Sequence, residues 1–316
     1  MLAAVLVSPG RFEVREVEIP GLGDQEVRVK IEYCGICSSN IAPWKGAPWF
    51  SYPFPPGAPG HEAVGILDAI GSAANGLRIG ERVAMLSYSA FAEYNVVKSS
   101  SVVPIGGLGF PFLGEPLGCA ANIHRRAGIR KGDWVVIVGI GFLGAILVQL
   151  AIYAGARVIA ISRRPSVLKL AKEYGAEFAF QFDDRFAIVK TIQSLTREKF
   201  CDVVIEAGGV QETLDLAGDL TKTRGRLIIA GYHQGGPRSI NMQEWNWKGI
   251  DVINAHEREE SVYVEGIRAA ADAVARGDIR LSGLISGTFP LAEIEQGFRI
   301  AEEKPEGFIK AIVEIM

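Results

Sequence analysis

A glycine-rich segment between a buried strand and an apolar helix constrains the fold of this chain more than any other feature. The segment, Gly139-Ile-Gly-Phe-Leu-Gly144, follows the strand-like run Trp134–Val138 and opens the helical run Phe142–Tyr153. In such a turn the first glycine permits a tight bend, the second lets backbone N–H groups approach a pyrophosphate, and the third lets the helix pack on the sheet. We therefore predict a dinucleotide site. Its expected contacts are Gly139, Gly141, Phe142, Leu143 and Gly144.

The composition and charge of the chain argue against several classes of function. The net charge is −3 over 316 residues, so nothing favours binding to nucleic acid or to an anionic membrane. Apolar runs break well before the roughly 20 residues that a membrane span requires, and the apolar start lacks the basic residues of a signal peptide. The four cysteines are too few for a disulfide scaffold. We expect a globular cytoplasmic protein that acts on a small molecule.

The composition and periodicity of the sequence change along the chain and indicate two domains. Residues 1–115 are rich in glycine and proline, with short alternating runs that indicate an irregular β domain. From 116 to 284, strand-like and helix-like segments alternate, which predicts parallel strands joined by crossover helices. We therefore predict an α/β protein with an irregular β domain formed by 1–115 and 285–316, and a doubly wound parallel-sheet domain formed by 116–284. The predicted strands of the second domain are Trp134–Val138, Arg157–Ile161, Asp202–Ile205, Arg226–Ala230 and Ile250–Ile253, and its helices include Ser166–Tyr174 and Gln211–Leu220.

The end of the second strand in the parallel-sheet domain bears on the choice of nicotinamide cofactor. An acidic residue about 20 residues past the glycines would accept a hydrogen bond from the ribose 2′-hydroxyl of NAD. The strand is instead followed by Ser162, Arg163 and Arg164. Arginine matches phosphate oxygens through a bidentate fork, so these residues favour the 2′-phosphate of NADP over NAD. The alternative is that both arginines are solvated surface charges.

Soft and borderline metal ligands lie in the otherwise cysteine-poor first domain. Cys37 and the pair His61-Glu62 are followed by Glu115 at the junction with the second domain. One cysteine, one histidine and one or two carboxylates, with a position left for water, form the ligand set of a catalytic zinc site rather than a closed structural one. The residues alone leave metal binding open, because a single cysteine is also common in protein cores.

The order of the motifs resembles the zinc-dependent medium-chain dehydrogenase/reductase family, which includes alcohol, sorbitol and threonine dehydrogenases. The resemblance covers most of the chain, and it implies a GroES-like catalytic domain beside a Rossmann domain. It also implies a catalytic zinc held by Cys37, His61, Glu62 and Glu115, with Cys34 as a buried thiol. The motifs that carry it are Cys34-Gly-Ile-Cys37, Gly60-His61-Glu62, Glu115-Pro-Leu and the glycine segment.

The resemblance assigns further roles and exposes departures near the metal. It implies that Lys310 reaches the cofactor phosphates and that Ser39 relays the substrate proton. The family usually has aspartate three residues after the ligand cysteine and histidine five residues after it, whereas this chain has Asn40 and Ala42. An amide can still hydrogen-bond the ligand histidine, but Ala42 cannot carry a proton. We expect the proton to leave through Ser39, or through a carboxylate at the metal.

A second departure concerns a structural metal. Many family members carry a four-cysteine zinc lobe between the equivalents of Val83 and Phe91, where this chain has only Ala84–Ala90. We therefore expect one catalytic zinc and no structural zinc.

The leading interpretation is a zinc-dependent oxidoreductase that transfers hydride between an alcohol or polyol and NADP, forming a homo-oligomer as the resemblance implies. Loss of the lobe and the NADP-like strand end favour an alternative, a zinc-free quinone or enone reductase of the same superfamily. Asn40 and Ala42 favour another, a non-catalytic nucleotide-binding protein. The aromatic residues after Cys37 either line a substrate pocket, which would indicate a bulky substrate, or pack in the core. These residues are Trp44, Trp49, Phe50 and Tyr52.

Overall fold

The structure is a computed structural model that describes residues 1–315. Its strands are β1 (Leu2–Ser8), β2 (Arg11–Glu16), β3 (Glu26–Gly35), β4 (Glu62–Ile70), β5 (Arg82–Leu86), β6 (Tyr94–Lys98), β7 (Val102–Pro104), β8 (Trp134–Val138), β9 (Arg157–Ser162), β10 (Phe178–Gln181), β11 (Cys201–Glu206), β12 (Thr221–Ile229), β13 (Asp251–Asn254), β14 (Gly287–Pro290) and β15 (Ala311–Glu314). Its α-helices are α1 (Ile41–Trp44), α2 (Gly114–Ala127), α3 (Phe142–Tyr153), α4 (Pro165–Glu173), α5 (Arg185–Leu195), α6 (Gln211–Leu220), α7 (Met242–Lys248), α8 (Glu260–Arg276) and α9 (Ile294–Glu303).

The first compact unit comprises residues 1–118, 259–275 and the described chain from 281 onward. Its main sheet has the order β14-β15-β3-β4-β5-β7, with β6 also pairing β3. Apolar side chains that alternate along these strands bury a core around Leu67, Met85, Phe91 and Phe298. Strand β15 pairs with the end of β3, so the last described strand stabilises the segment that leads to Cys37.

The second unit comprises residues 119–258 and 276–280 and contains a six-stranded parallel sheet. The strand order is β10-β9-β8-β11-β12-β13. Strands such as Trp134–Val138 are buried after their first residue, as expected for a sheet covered by helices on both faces. The order reverses beside β8, and in open α/β sheets the crevice at the carboxyl ends of the strands near this point binds ligands.

The predicted fold class is confirmed: an irregular β unit accompanies a doubly wound parallel sheet. The predicted domain boundary differs from the compact units, because residues 259–275 of α8 group with the β unit. Gly118 explains this contact physically, since a Cβ there would lie 2.8 Å from a side-chain carbon of Ile267. Two small residues, Gly114 and Gly118, thus let α8 pack closely on α2.

Strand β10 and helix α5 were not predicted from the sequence, and they lie between two elements that were. Phenylalanines give β10 a strand composition, and Asp184 caps α5 by accepting hydrogen bonds from two backbone N–H groups. None of the helices within residues 1–315 is long and apolar enough to cross a membrane.

Candidate functional site

Cys37 lies in the tight turn that follows β3. The turn continues as a short 3-10 helix over Ser38–Asn40, which includes Ser39. The Asn40 side chain holds the turn, because its Oδ1 accepts a hydrogen bond from the Cys37 backbone N–H at 2.9 Å. The cysteine is therefore fixed by a local hydrogen bond at the end of a core strand.

His61 and Glu62 reach the same place from the neighbouring strand. Glu62 begins β4 and lies opposite Gly35, the last residue of β3. A Cβ on Gly35 would lie 2.1 Å from a Glu62 carboxylate oxygen, so only glycine allows this approach. Antiparallel pairing of β3 and β4 therefore brings the Cys37 turn beside the His61-Glu62 pair.

The donor atoms of Cys37, His61 and Glu62 form a compact cluster. One sulfur, one ring nitrogen and one carboxylate oxygen all lie within 4.8 Å of one another. Zinc favours this mixture of thiolate, imidazole and carboxylate in sites that leave a position open. The residues present fit a catalytic zinc ion.

The Pro59 carbonyl oxygen and the Asn40 amide nitrogen lie beside Nδ1 of the His61 ring. Its Nδ1 lies 3.0 Å from the Pro59 carbonyl oxygen and 3.4 Å from the Asn40 amide nitrogen. The same amide donates a hydrogen bond to Pro59 at 3.0 Å. A ring whose Nδ1–H donates to a carbonyl keeps Nε2 unprotonated, which suits a metal ligand. Asn40 thus acts on the histidine through the Pro59 carbonyl oxygen that both groups contact, and it lacks the negative charge of the family aspartate.

The local charges identify a place that demands a cation. Burial alone would lower the pKa of His61, but Cys37 and two carboxylates, Glu115 and Glu62, raise it to about 10. The negative charge around the ring therefore favours a positive charge at this place, either a proton on His61 or a metal ion bound to it. Burial raises the pKa of the Cys34 thiol, so that cysteine stays neutral and supports its reading as a core residue.

Lys310 occupies a different position from the one expected. Its ammonium is buried, donates to both Glu62 oxygens at 2.7 Å and also contacts the Ile36 carbonyl oxygen at 3.2 Å. The prediction that Lys310 contacts cofactor phosphates therefore needs correction, because the side chain is engaged with a candidate metal ligand. Burial would lower the pKa of Lys310, but attraction from Glu62 outweighs it and raises the pKa.

Glu115 lies in the first turn of α2 and is partly buried. Within the described chain it lies outside the 4.8 Å cluster. Its charge nevertheless contributes to the raised pKa of His61 and of Lys310, so it acts on the cluster electrostatically. The structure thus separates the two predicted carboxylates: Glu62 adjoins the sulfur and the ring, and Glu115 stands further away.

The glycine segment forms the turn between β8 and α3, as its pattern predicts. Gly139 has φ +103°, and a Cβ on Gly144 would lie 2.2 Å from the Gly139 carbonyl oxygen. Gly141 lies at the N-terminus of α3 and faces open space. Phe142 is buried and begins the helix, and Leu143 follows in the same first turn. Backbone N–H groups at a helix N-terminus can bind a phosphate.

The segment after β9 places its two arginines differently. Ser162 is buried at the strand end and accepts a hydrogen bond from the Arg164 backbone N–H. The Arg164 guanidinium donates to the Ile140 carbonyl oxygen at 3.1 Å, inside the glycine turn. Arg163 is 63% exposed and lies over the Phe182 ring. Arg163 is therefore the more exposed of the two arginines, and its guanidinium lies 4.0 Å from a Glu212 carboxylate oxygen.

The aromatic residues after Cys37 are mostly core. Trp44 is 4% exposed, stacks with Phe12 and donates its indole N–H to Glu302 at 2.9 Å. Packing therefore overrides the interpretation of Trp44 as a pocket wall. The remaining members divide: Trp49 is exposed, whereas Phe50 and Tyr52 pack on the core.

A short turn occupies the position where the family's zinc lobe would be inserted. Asn95 donates to the Ser89 carbonyl oxygen at 2.8 Å and accepts from the Ser87 hydroxyl at 3.2 Å. The Ser89 backbone N–H donates to the same hydroxyl. A hydrogen-bonded network centred on one asparagine therefore closes this turn.

The two units and the cysteine-histidine-glutamate cluster together define the class of GroES-like, Rossmann-type dehydrogenases. A family model described as an alcohol dehydrogenase GroES-like domain matches residues 23–123, and one described as a zinc-binding dehydrogenase matches residues 143–272. The chain belongs to the zinc-dependent medium-chain dehydrogenase/reductase family.

Individual relatives show how far the similarity extends. An alcohol dehydrogenase of Geobacillus stearothermophilus is 33% identical, with 92% of each chain covered. A 2-dehydro-3-deoxy-L-galactonate 5-dehydrogenase of Pseudoalteromonas atlantica is 26% identical, covering 99% of this chain and 98% of the relative. A solved structure from Sinorhizobium meliloti 1021, described as a zinc-binding dehydrogenase bound to NADP, is 28% identical, covers 99% of both chains and has a TM-score of 0.83.

Proposed function

We propose that this protein is a zinc-dependent oxidoreductase that transfers hydride between an alcohol or polyol and NADP. The observation that carries the proposal is the convergence of Cys37, His61 and Glu62, whose donor atoms lie within 4.8 Å of one another. Zinc-free members of the same superfamily would not need this convergence. Relatives named alcohol, sorbitol and D-xylulose enzymes support the substrate class.

The chain's own residues hold and shape the proposed metal site. A zinc ion at this site supplies Lewis-acid polarisation of a substrate oxygen. Cys37 and His61 would be ligands, and Glu62 and Glu115 would be the carboxylates that complete the set. Asn40 holds the Cys37 turn and donates to the Pro59 carbonyl oxygen that orients His61. We expect one zinc per chain, because hydrogen bonds rather than cysteines close the 87–90 turn.

Ser39 is the proposed proton acceptor beside the metal. It lies two residues after Cys37 and in the same turn, so its hydroxyl is carried by the segment that holds the ligand. Ala42 provides no proton carrier at the position where the family has histidine. Ser39 Oγ would accept the substrate proton as it releases its own hydroxyl proton to solvent, without an imidazole relay.

Arg163 and the adjacent Ser162 support the preference for NADP. The Arg163 side chain is 63% exposed just past the second strand of the parallel sheet, where the ribose of a dinucleotide lies in this fold. An exposed guanidinium can bind a 2′-phosphate through two parallel hydrogen bonds. No carboxylate occurs in Ser162–Arg164 to favour NAD.

The substrate class is a small polyol or secondary alcohol rather than a bulky ring. The expectation of a bulky substrate depended on aromatic walls, and Trp44 is instead a core residue. Glu62, Lys310 and Asn40 lie near Cys37, but they are buried and bonded to one another or to the backbone, so they hold the turn. Relatives named sorbitol and alcohol dehydrogenases support a hydroxylated substrate.

Metal content and turnover together test the proposal. Purified protein should contain about one zinc per chain and should oxidise polyols with NADP faster than with NAD. Cys37→Ala should lose zinc and turnover but still bind the dinucleotide; Cys201→Ala, at a buried cysteine of the other unit, is the matched control. Full activity of Cys37→Ala, or turnover of quinones by metal-free protein, would establish the zinc-free alternative instead.

We further propose a homodimer formed through β13. This strand ends the parallel sheet and pairs β12 on one side only within the described chain. Exposed apolar side chains accompany it, including Val252 at 41% and Trp247 at 88% exposure. Such an edge pairs readily with a second strand. Sedimentation should show a dimer that Val252→Lys dissociates; a monomeric wild-type protein at micromolar concentration would refute this assembly.

The proposed compartment is a reducing cytoplasm. All four cysteines are free, and a zinc-ligating thiol requires a reducing setting. Fractionation of the cells that produce the protein tests this, with activity expected in the cytosolic fraction.

A further inference from the structure

A completely buried carboxylate lies at the carboxyl edge of the parallel sheet. Glu206 ends β11, pairs in register with Val138 and is 0% exposed. Its Oε1 accepts hydrogen bonds from the backbone N–H groups of Gly208 and Gly209 at 2.8 and 2.7 Å and from the Thr213 hydroxyl at 2.6 Å. The carboxylate therefore organises the loop that follows its own strand.

The other oxygen of Glu206 begins a chain of side chains that reaches the next loop. Oε2 lies 2.9 Å from His233 Nε2, and the Arg238 Nε–H donates to His233 Nδ1 at 3.1 Å. Because Arg238 can only donate, His233 Nδ1 must accept, and Nε2 must carry the proton that is donated to Glu206. The hydrogen bonds thus fix one neutral tautomer of His233.

Arg238 closes the chain on the backbone of both loops. Its guanidinium contacts the carbonyl oxygens of Gly236 and Pro237 within its own loop, at 3.2 and 3.3 Å. It also contacts the Gly209 carbonyl oxygen at 3.4 Å, in the loop that Glu206 organises. Hydrogen bonds through Glu206, His233 and Arg238 therefore connect the loop after β12 to the loop after β11.

The tied loops adjoin the first glycine of the dinucleotide turn. A Cβ on Gly139 would lie 2.7 Å from the Gly208 backbone nitrogen, so the two segments are packed backbone to backbone. A Cβ on Gly231 would lie 2.6 Å from Glu206 Oε2, which leaves the carboxylate little freedom to move. Any displacement of Glu206 is consequently transmitted to the turn that would contact a pyrophosphate.

We propose that His233 and Arg238 are positioning residues for the dinucleotide: through buried Glu206 they hold the loops after β11 and β12 against the glycine turn. The proposal rests on the proposed dinucleotide-dependent function. It assigns these residues no contact with the alcohol substrate. Breaking the hydrogen bonds that join Glu206, His233 and Arg238 should weaken cofactor binding. It should leave alcohol binding unchanged, because the candidate metal ligands belong to the other unit.

The test uses the full-length zinc-loaded protein, the dinucleotide Kd by NADPH fluorescence, and steady-state kinetics. His233→Leu and Arg238→Met should each raise the Kd and the KM for NADPH about tenfold, the value expected for a lost hydrogen bond to a charged group. The KM for the alcohol and the zinc content should stay unchanged. His233→Gln retains an N–H donor and an oxygen acceptor, so it should recover the wild-type Kd within about threefold.

Two further measurements separate positioning from general damage. The double variant His233→Leu/Arg238→Met should have a Kd for NADPH no higher than that of either single variant, because both changes break the same series of hydrogen bonds. Arg276→Met, which removes an ion pair between a 57% exposed guanidinium and Asp278 on the same unit, should bind NADPH normally. The Glu206 carboxylate is kept in every variant, since a change there could prevent folding.

The possible results distinguish the inference from the proposed function. Single variants with the wild-type Kd and an unchanged melting temperature overturn the positioning role but leave the dinucleotide function intact. Equal losses in cofactor binding, alcohol KM and kcat also overturn it, because they indicate general structural damage. A wild-type protein that binds neither NADPH nor NADH refutes the proposed function and the positioning role together.

Discussion

Replacing Lys310 by methionine should destabilise the metal-free protein by several kcal/mol. The ammonium is 5% exposed, Glu62 is 0% exposed, and both carboxylate oxygens lie 2.7 Å from the nitrogen. At an effective dielectric constant of about 20, two unit charges at this distance attract by about 6 kcal/mol before desolvation is counted. Lys310→Met would leave a buried carboxylate without its counter-charge, and we expect the free energy of unfolding to fall by about 3–5 kcal/mol.

Urea unfolding after chelation measures this loss, and Glu62→Gln/Lys310→Met is the matched control. The double variant contains a neutral amide instead of the stranded charge, so much of the lost stability should return. Zinc should stabilise Lys310→Met more than it stabilises the wild type, because Glu62 is then free of its competitor and can ligate the metal. A loss below about 1 kcal/mol in the single variant would refute the reasoning from the buried pair.

Five other substitutions address the cofactor turn and the short 87–90 turn. Arg163→Met should lower kcat/KM for NADP about tenfold and leave NAD unaffected, whereas Arg164→Met, which breaks a bond to the glycine turn, should impair both cofactors; equal effects would contradict these roles. Asn95→Ala should cost about 1–2 kcal/mol in urea unfolding, and no change in the midpoint would show that the turn closes without it. Gly144→Ala should destabilise by about 1–3 kcal/mol because its Cβ meets a backbone oxygen at 2.2 Å, whereas Gly141→Ala should fold normally yet bind the dinucleotide poorly; equal melting temperatures would contradict the steric argument.

Strong periodic segments were predictable because local sequence and tertiary structure agree in them. The strand Trp134–Val138 and the helices Phe142–Tyr153 and Gln211–Leu220 were predicted with the bounds that the structure shows. The strand is buried after its first residue, most of the first helix is buried, and the second helix buries one face. Helix α8 was harder to assign, because which unit it joins depends on contacts with α2 that lie far away in sequence.

The candidate site likewise contains some residues that the sequence predicted and others that it did not. The sequence motifs identified Cys37, His61 and Glu62, and local strand pairing then brings them together. The role of Lys310 was missed, because a lysine's partner more than 200 residues away leaves no local signal. The position of Glu206 was missed for a different reason: its partners lie within 27 residues, but a single acid at a strand end carries no recognisable spacing.

The pairing of β15 with β3 has a consequence for how the protein is made. Val313 lies opposite Cys34, and Trp44, just after the metal-binding turn, is bonded to Glu302. The parallel-sheet unit is nearly contiguous in the sequence, so a ribosome can release it whole while the flanking unit still lacks its final strand. The half of the protein that is synthesised first is therefore the last to be completed, and the strand that pairs beside Cys34 forms only after Val313 has been translated.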